Sequence, residues 1–560
     1  MSGGAHRKRP SGGGSLVANS AVMAVGTVFS RLSGFVRGTL LLAALGAGLH
    51  GDVFNIANTV PNMLYILLAG GVFNAVLVPQ LVRSLKNDPD GGDAYTNRLM
   101  TLAILFLGAV SIILVVAAPL VMRVVVTGEL FEPQYAEQRE SMINLARFCL
   151  PQVFFYGMFV LVGQVLNARG SFGPMMWAPI ANNVVSVAIL ATYLLTFGPA
   201  KDSELCGGFS SGAEAFLGIG STLGIAVQLL VLIPYLKRAG FTFRPRFDFR
   251  GSGLGHTFRL GVWTVLFVVV NQIAYTVVVR LASSGTTGTG CDGTDPGTGY
   301  TVYSNSFLLV MVPHAIITVS LATAVLPRLS AAAADSDLRR LADSLTSTIR
   351  LTYALVLPLL ALLPIVATDV AGVVFGYGAN EATYESFVPT LSWFALGVLF
   401  FTSHYLVLRG FYALEQNRRV FLIQCVISAV NIGAAVLLTR DIDPADTAPR
   451  LVIAYAIAYA VGAAISYAQL SRRLEGMDGR GLLRFAVRLG VVVGITVLAA
   501  LVARETAQEL VGGDGKAAEI IRLAVVGGVG GGSYLALARI FRVDEVTDVL
   551  GSVTGRFRRR

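Results

Sequence analysis

The chain contains about fourteen apolar runs of about 20 residues or more, separated by short polar loops. A helical run of that length spans the ~30 Å hydrocarbon core of a bilayer, at about 1.5 Å per residue. No strand-like alternation of apolar and polar residues appears, and an open sheet would leave its backbone unpaired in lipid. The sequence therefore predicts an all-α polytopic membrane protein.

Composition and charge narrow the class further. Of the 560 residues, 54% are hydrophobic and 14% are charged, and the mean hydropathy is +0.68. The net charge of +10 could suggest a nucleic-acid partner. However, the basic residues lie in short loops and form no aromatic-interleaved patch, so no nucleic acid is expected. Alternate loops are rich and poor in Lys and Arg, which places both basic termini in the cytoplasm.

A weak internal repeat indicates two halves of similar structure. Pro79 and Pro327 lie in similar segments 248 residues apart, and Asn183 and Asn431 have the same spacing. Six predicted spans separate the members of each pair, and an even number gives both halves the same orientation. The sequence predicts two parallel six-helix lobes followed by two further C-terminal helices.

No pattern typical of an enzyme is present. HExxH, Walker and CxxC motifs are absent from the sequence, so we expect no catalysis, no cofactor and no metal site. His314 and His404 lie in apolar runs, where each either lines a cavity or packs against neighbouring helices.

Two arginines in the first apolar run are the strongest functional signal. Arg31 and Arg37 would each cost about 2.5 to 3.5 kcal/mol at the bilayer centre, so they require a polar partner or an aqueous cavity. Guanidinium groups bind phosphate bidentately, which indicates an anionic substrate. Arg31 and Arg37 are six residues apart, which corresponds to a rotation of about 240° about the axis of a straight helix. A kink at Gly34 would nevertheless turn both arginines inward. The alternative is that they reach to the inner headgroups.

The second apolar run combines helix-weakening residues with polar ones. Pro61, Gly70 and Gly71 predict a bending element, and static packing is the alternative. Asp52 either pairs with an arginine or caps a helix. The candidate substrate-binding residues are therefore Arg31, Arg37, Asp52, Asn55 and Asn62, and the candidate hinge residues are Gly34, Pro61, Gly70 and Gly71.

Cysteines allow one external disulfide. Cys206 and Cys291 fall in predicted outer loops, where an oxidising environment permits a bond between the lobes, and two free thiols are the alternative. Cys149 and Cys425 lie in apolar runs and are expected to pack.

Several segments resemble the MurJ/MviN lipid II flippases. They are the motif from Ser30 to Arg37, Pro61-Asn62-Met63-Leu64, and the segment from Leu326 to Ser330. The resemblance implies the fold of the multidrug/oligosaccharidyl-lipid/polysaccharide exporter superfamily, with Arg31, Arg37 and Asp52 in a central cavity. It also implies that the last two helices form a groove for a lipid tail.

With this resemblance the chain divides into six regions. They are a disordered basic N-terminal tail (residues 1–15), an N-terminal six-helix lobe (16–238), a basic cytoplasmic linker (239–256), a C-terminal six-helix lobe (257–472), a two-helix lipid-tail groove (473–541) and a basic cytoplasmic tail (542–560).

The sequence departs from the family pattern at five positions. Tyr65, Ile66 and Gly70 stand where relatives often carry basic residues and a Glu. Leu308 and Val279 stand near positions where relatives carry an arginine and an Asp. We therefore expect a less charged cavity than is usual for the family.

The leading functional hypothesis is a flippase of the bacterial plasma membrane. It would move lipid II, an undecaprenyl-diphosphate-linked peptidoglycan precursor, or a similar polyprenyl-diphosphate lipid from the inner to the outer leaflet by alternating access. Membrane lipids and the cell-wall synthesis and division machinery are the other expected partners. The sequence does not identify a coupling ion, and the membrane potential is a candidate driving force. The alternatives are a cation-coupled multidrug exporter or another polyprenyl-diphosphate-saccharide exporter of the same superfamily, and a membrane scaffold that transports nothing.

Overall fold

The computed structural model describes residues 12–67, 81, 84, 88–90, 92–201, 207–248, 254–287, 297–513, 515–548 and 551. Within these ranges the chain is helical, with short turns, and it contains no β-strand. The predicted all-α class is confirmed. The predictions for Gly70, Gly71, Cys206 and Cys291 lie outside the described residues, as does most of both predicted tails.

The helices follow the predicted apolar runs. The α-helices of the first half are α1 (Gly12–Leu45), α2 (Leu49–Ile66), α3 (Asp93–Val116), α4 (Ala118–Val125), α5 (Ala136–Cys149), α6 (Gln152–Ala168), α7 (Gly173–Thr196), α8 (Ser211–Leu230) and α9 (Leu232–Arg238). Those of the second half are α10 (Leu254–Ala282), α11 (Tyr300–Pro313), α12 (Val319–Ala334), α13 (Leu338–Phe375), α14 (Phe387–Ala413), α15 (Asn417–Leu438) and α16 (Thr447–Arg473). The last pair is α17 (Gly479–Leu510) and α18 (Lys516–Ile540).

Local sequence explains where long spans are interrupted. Proline lacks the N–H that the helical ladder needs, and α4 has Pro119 in its first turn while α6 begins after Pro151. A π-helical stretch, His314–Thr318, follows Pro313 and joins α11 to α12. These interruptions divide single predicted spans into two helices without ending the span.

Twelve helical segments among the described residues are long and apolar enough to cross a membrane. The helix α2 is not among them, and its 18 residues include an Asp and three Asn. It is too polar to be recognised as a span by composition. The number of about fourteen spans stays a prediction, because most of residues 68–87 lies outside the described ranges.

The same packing pattern occurs in both halves. In the first half α7 packs on α1 and α8, and in the second half α15 packs on α10 and α16. Likewise α2 packs on α5 and α6, as α11 packs on α14. The repeat detected in the sequence therefore corresponds to a repeated arrangement of helices.

The hydrophobic cores show how the halves meet. One core cluster joins both halves at the end of the molecule that contains the N-terminus of α2, with members such as Phe54, Leu145 and Phe394. At the opposite end each half has its own core. We call the shared end the outer end, since the charge distribution of the loops predicts that it faces outward. The halves are thus packed together at the outer end and separate towards the inner end.

The last two helices are attached to the second half. Helices α17 and α18 pack on each other and on α13. Arg522 Nε of α18 lies 2.8 Å from Asp369 Oδ1 of α13, and their side chains are 13% and 4% exposed. Lys516 Nζ also donates to the carbonyl oxygen of Gly372 at 2.9 Å. A buried ion pair therefore fixes the C-terminal pair to α13.

Candidate functional site: a central cavity between the halves

A cavity of about 610 Å³ lies between the two halves. Its lining comes from α1, α2, α6, α7 and α8 on one side and from α10, α11, α14, α15 and α16 on the other. A site built in this way changes shape whenever the halves move relative to each other, as alternating access requires.

The lining is polar but almost uncharged. Among the described residues that line the cavity, Arg37 is the single Asp, Glu, Lys or Arg. The hydrogen-bonding groups are mainly amides and phenols: Asn55, Asn58, Asn62, Asn182, Asn271, Asn305, Asn431, Gln152, Gln272, Gln424, Tyr156, Tyr275, Tyr300, Tyr303, Tyr455 and Tyr459. The cavity can therefore bind a large neutral polar group together with one anionic group.

The two arginines occupy different environments. Arg37 is half-buried and lines the cavity, as does Tyr156. Arg31 is exposed and lies outside the lining. Helix α1 runs without a break through Gly34, so the angle of about 240° between positions six apart is retained. Neither arginine has an ion pair among the described residues.

The candidate hinge residues that are described lie inside continuous helices. A Cβ at Gly34 would have Asn183 Nδ2 as its nearest neighbour, at 3.7 Å, which is an ordinary contact. Space alone therefore does not require glycine there. Pro61 is buried within α2, which continues to Ile66. The hinge role of both residues stays a prediction.

The two candidate asparagines of α2 both line the cavity. Asn55 Nδ2 donates to Thr301 Oγ1 of α11 at 2.9 Å and so also links the halves. Asn62 is exposed within the cavity. Its amide is available to a ligand in this conformation.

Asp52 caps a helix of the other half. Its Oδ1 accepts from the backbone N–H of Thr301 at 2.7 Å, and its Oδ2 accepts from the N–H of Tyr300 and from Thr286 Oγ1, both at 3.0 Å. Tyr300 is the first residue of α11, so the carboxylate meets the positive end of that helix. The sequence left open whether Asp52 pairs with an arginine or caps a helix, and in the structure it caps a helix. Asp52 is 1% exposed and lies outside the cavity lining.

Other hydrogen bonds close the same end. Thr59 Oγ1 lies 2.8 Å from the Tyr300 hydroxyl, which also bonds to the Tyr275 hydroxyl at 2.7 Å. Arg280 Nη1 donates to the carbonyl oxygen of Arg123 at 2.9 Å, so this arginine joins α10 to α4. These contacts bring both halves together at the outer end. The structure is consequently closed towards the outer side.

The two membrane histidines pack rather than line the cavity. Both are buried, with His314 Nδ1 2.8 Å from Thr402 Oγ1 and His404 Nδ1 3.2 Å from Ser466 Oγ. Both lie outside the cavity lining.

Sequence reasoning missed most of the second-half lining. Asn271, Gln272, Gln424 and Tyr455 were not identified, and Asn431 was noted only as part of the repeat. The Asn and Gln residues inside the apolar runs could have indicated this lining, because burying an amide in lipid costs free energy and such residues tend to face a cavity.

Solved structures of other proteins share the fold of this chain. The structure resembles that of "Lipid II flippase MurJ, inward closed conformation" with a TM-score of 0.70 at 16% sequence identity, covering 94% of this chain and 99% of that one. It also resembles an inward-facing multidrug resistance MATE family transporter of the MOP superfamily, with a TM-score of 0.61 at 17% identity, covering 80% of this chain and 95% of that one. The chain has the fold of the MOP superfamily transporters.

The sequence comparisons give the family. The model of the family "Lipid II flippase MurJ" matches residues 41–514. The "Lipid II flippase MurJ" of Burkholderia cenocepacia is 25% identical over 476 residues, which cover 83% of this chain and 85% of that relative. The chain therefore belongs to the lipid II flippase MurJ family, a family of transporters, and the resemblance recognised in the sequence is confirmed.

Proposed function

We propose that the protein moves lipid II from the inner to the outer leaflet of the bacterial plasma membrane by alternating access. The observation that carries this proposal is the cavity between the halves, where Arg37 is the single cation among the described lining residues, has no ion pair among them and lies among neutral hydrogen-bonding groups. Its chemistry fits a diphosphate attached to a large polar headgroup.

Arg37 would hold the diphosphate. Its guanidinium presents several donors to phosphate oxygens in a fixed planar geometry. Arg31 is exposed at the neighbouring face of α1, where it would attract the anionic headgroup before the headgroup reaches the cavity. The long polyprenyl chain would stay in the lipid phase, with α17 and α18 as its proposed groove.

The contacts at the outer end would act as the gate. Outward opening requires the release of the α11 N-terminus from Asp52 and of Thr301 from Asn55. Separation of the halves at this end while they approach at the inner end would expose the cavity to the outer leaflet. The bending element that allows this motion would be the region of Gly34, Pro61, Gly70 and Gly71.

The chemistry of the lining favours an anionic substrate over a drug cation. A cation-coupled exporter needs a carboxylate in its cavity, and none occurs among the described lining residues. The membrane potential is the proposed driving force, because a potential negative inside favours outward movement of an anion by about 2.3 kcal/mol per charge per 100 mV.

The topology and partners belong to the same proposal. Both termini would face the cytoplasm, as the loop charges predict. The enzymes of cell-wall synthesis and division would supply the lipid on one side and consume it on the other.

Translocation of fluorescent lipid II in reconstituted vesicles tests the proposal. The purified full chain should move the labelled lipid between leaflets, with a rate that rises under an imposed potential. Arg37→Gln should abolish most of this activity because it removes the cavity's charge. Arg147→Gln is the matched control, since Arg147 is exposed and contacts Asn144 outside the cavity. Equal activity of wild type and Arg37→Gln, or no translocation by wild type, would overturn the proposal.

A further inference from the structure

An apolar groove on the outside of the helix bundle joins the two halves near the outer end. It has a volume of about 360 Å³. Helices α2, α3 and α4 of the first half and α10 of the second half line it with Val60, Met63, Leu64, Leu114, Leu120, Val121, Val124, Val125 and Thr276. Eight of these nine side chains are apolar, and the hydroxyl of Thr276 donates to the carbonyl oxygen of Gln272. The groove is therefore suited to hydrocarbon.

This groove is separate from the central cavity. Among the described residues, the two linings have no member in common. Helix α2 divides them, because Asn58 and Asn62 line the cavity while Met63 lines the groove. Leu120 and Val124 are 65% and 57% exposed. Apolar side chains this exposed on a membrane-spanning chain face the acyl chains of lipids, so the groove opens to the bilayer.

The length of the groove matches one leaflet. Along α3 and α4 its lining extends over 11 residues, from Leu114 to Val125, which corresponds to about 16 Å of helix. Val125 is the last residue of α4 and belongs to the core cluster of the outer end. One leaflet contributes about 15 Å of hydrocarbon. The groove therefore runs from the outer headgroup region towards the bilayer centre, as one extended acyl chain does.

Two arginines lie where the groove meets the outer headgroup region. Arg280 follows Thr276 by one turn of α10. Its Nη1 donates to the carbonyl oxygens of Arg123 and Val124, at 2.9 and 3.1 Å. The guanidinium carbon of Arg123 lies 5.9 Å from the centre of the Phe131 ring. Both arginines are exposed, and neither has an ion pair in the part of the chain that the structure describes.

We propose that the groove binds an acyl chain of an anionic phospholipid of the outer leaflet, whose phosphate is bound by Arg280 and Arg123. Outer loops of membrane proteins are usually poor in arginine, so two cations without a counter-charge at the mouth of an apolar groove indicate an anionic amphiphile. One nitrogen of Arg280 is used by α4, and its other N–H groups can donate to phosphate oxygens. A zwitterionic lipid fits less well, because its ammonium group opposes the arginines.

The bound lipid would stabilise the outward-closed state. Its site is complete only while α10 of the second half lies against α2 and α4 of the first half. Separation of the halves at the outer end would part Arg280 from α4 and divide the groove. A ligand that binds one of two states shifts the equilibrium towards that state. This consequence rests on the alternating access of the proposed function, whereas the binding site itself does not.

Quenching of a tryptophan by brominated lipids tests the site. The full chain, with its three native tryptophans replaced by phenylalanine, carries Leu120→Trp in the groove and is reconstituted into vesicles. Brominated phosphatidylglycerol should quench this tryptophan at lower mole fractions than brominated phosphatidylcholine. Arg123→Gln and Arg280→Gln should each reduce that preference about 5-fold, as expected for one arginine at an anionic headgroup.

Three controls isolate the charge of the arginines. Leu437→Trp reports on another lipid-facing surface, where the side chain is 74% exposed, and should be quenched equally by both lipids. Arg440→Gln removes an exposed arginine of a predicted outer loop, which pairs with Asp441, and should leave the preference unchanged. Arg123→Gln keeps the backbone carbonyl that Arg280 uses, so its effect cannot come from loosened helices.

The state preference has its own readout. A membrane-impermeant maleimide added outside should label Asn62→Cys of the central cavity more slowly in vesicles with phosphatidylglycerol than in pure phosphatidylcholine. Arg123→Gln should remove most of this difference. An equal dependence on phosphatidylglycerol in wild type and Arg123→Gln would overturn the stabilisation of the closed state.

The remaining outcomes separate this proposal from the proposed function. Equal quenching of Leu120→Trp by the two lipids, or a preference that survives both arginine substitutions, overturns the lipid site. Displacement of brominated phosphatidylglycerol by equimolar undecaprenyl phosphate would assign the groove to the substrate's chain instead, and the proposal is then wrong. If the groove prefers phosphatidylglycerol but the chain moves no lipid II in any vesicle, the proposed function fails and the lipid site stands.

Discussion

Replacement of Asp52 by asparagine should open the outer end of the protein. The carboxylate is 1% exposed and accepts hydrogen bonds from two backbone N–H groups of α11 and from Thr286. Asparagine keeps one acceptor oxygen, loses the negative charge and brings an NH₂ group towards other donors.

The size of the effect follows from these contacts. The charge at a partly buried helix end contributes up to about 2 kcal/mol, and one hydrogen bond to a charged group contributes about 1.5 to 3 kcal/mol. Because the two terms overlap, we expect a loss of about 2 to 3 kcal/mol for the outward-closed state. This shifts the equilibrium towards outward opening roughly 30- to 160-fold.

Cysteine labelling measures this shift. Asn62→Cys is introduced into a chain whose native cysteines are replaced by serine, since Asn62 is exposed in the cavity. The rate at which a membrane-impermeant maleimide added outside modifies this cysteine reports the outward-open fraction. Asp52→Asn should raise that rate roughly 30- to 160-fold.

A matched control excludes a general effect of the substitution. Asp446→Asn makes the same change in a predicted outer loop, where Asp446 is half-exposed and pairs with Arg450. It should leave the rate unaltered. If both variants label at the same rate from outside, Asp52 does not hold the outer end closed, and the reasoning from the helix cap is refuted.

Three other perturbations have defined outcomes. Arg37→Lys keeps the charge but loses the bidentate geometry, so the affinity for a polyprenyl diphosphate should fall less than in Arg37→Gln, for which about 10- to 100-fold is expected in equilibrium binding. Asp369→Asn leaves the buried Arg522 without its counter-charge, which should cost about 3 to 5 kcal/mol and raise hydrogen exchange in α18; unchanged exchange would contradict the clamp between α13 and α18. The hydrogen bond from Arg98 lowers the pKa of Asp248. Because the pKa of Asp248 is lowered in the folded state, the pair stabilises the fold at pH values above the ordinary Asp pKa of about 3.9, and this stabilisation is lost as the pH falls below that value. Proteolysis of the linker that contains Asp248 should therefore be constant from about pH 8 to 5 and rise only near pH 3. A rise at pH 6 would exclude this pair as the cause.

The hydrogen bonds between Asp52 and the N-terminus of α11 join positions that the internal repeat makes equivalent. Asp52 and Tyr300 are 248 residues apart, which is the spacing of the repeated segments. Equivalent positions of the two halves therefore touch each other at the outer end. The two sequences differ there, because one half supplies a carboxylate and the other supplies the N–H groups of a helix end. This asymmetry lets two similar halves bind each other through complementary groups.

Individual residues show how far the sequence could be read. Arg37 was identified because a permanent cation in an apolar run needs a cavity, and this cost depends only on local sequence and on the membrane. Asn55 and Asn62 were identified as candidate substrate-binding residues because both lie in the second apolar run, which carries several polar residues. Tyr455 and Gln272 were missed, because nothing in one helix tells which of its faces meets the opposite half.

Arg31 is instructive for the same reason. Six positions separate it from Arg37, which corresponds to about 240° of rotation on a regular helix, and the sequence alone leaves open whether a kink cancels this angle. The structure keeps α1 continuous through Gly34, and Arg31 lies outside the cavity. The outcome depends on the helices that pack against α1, chiefly α7.

The sequence by itself determined the all-α membrane class, the repeat of two halves, the family and a pair of arginines in an apolar run that need a polar environment. These follow from apolar length, from charge and from short motifs, which act within one segment or against a uniform bilayer. Only the tertiary structure decided that Asp52 caps a helix of the other half, that Arg31 stays outside the cavity and that the second half supplies an aromatic, uncharged wall. Each of these depends on partners about 100 to 250 residues away, and long-range packing selects such partners from many chemically equivalent candidates.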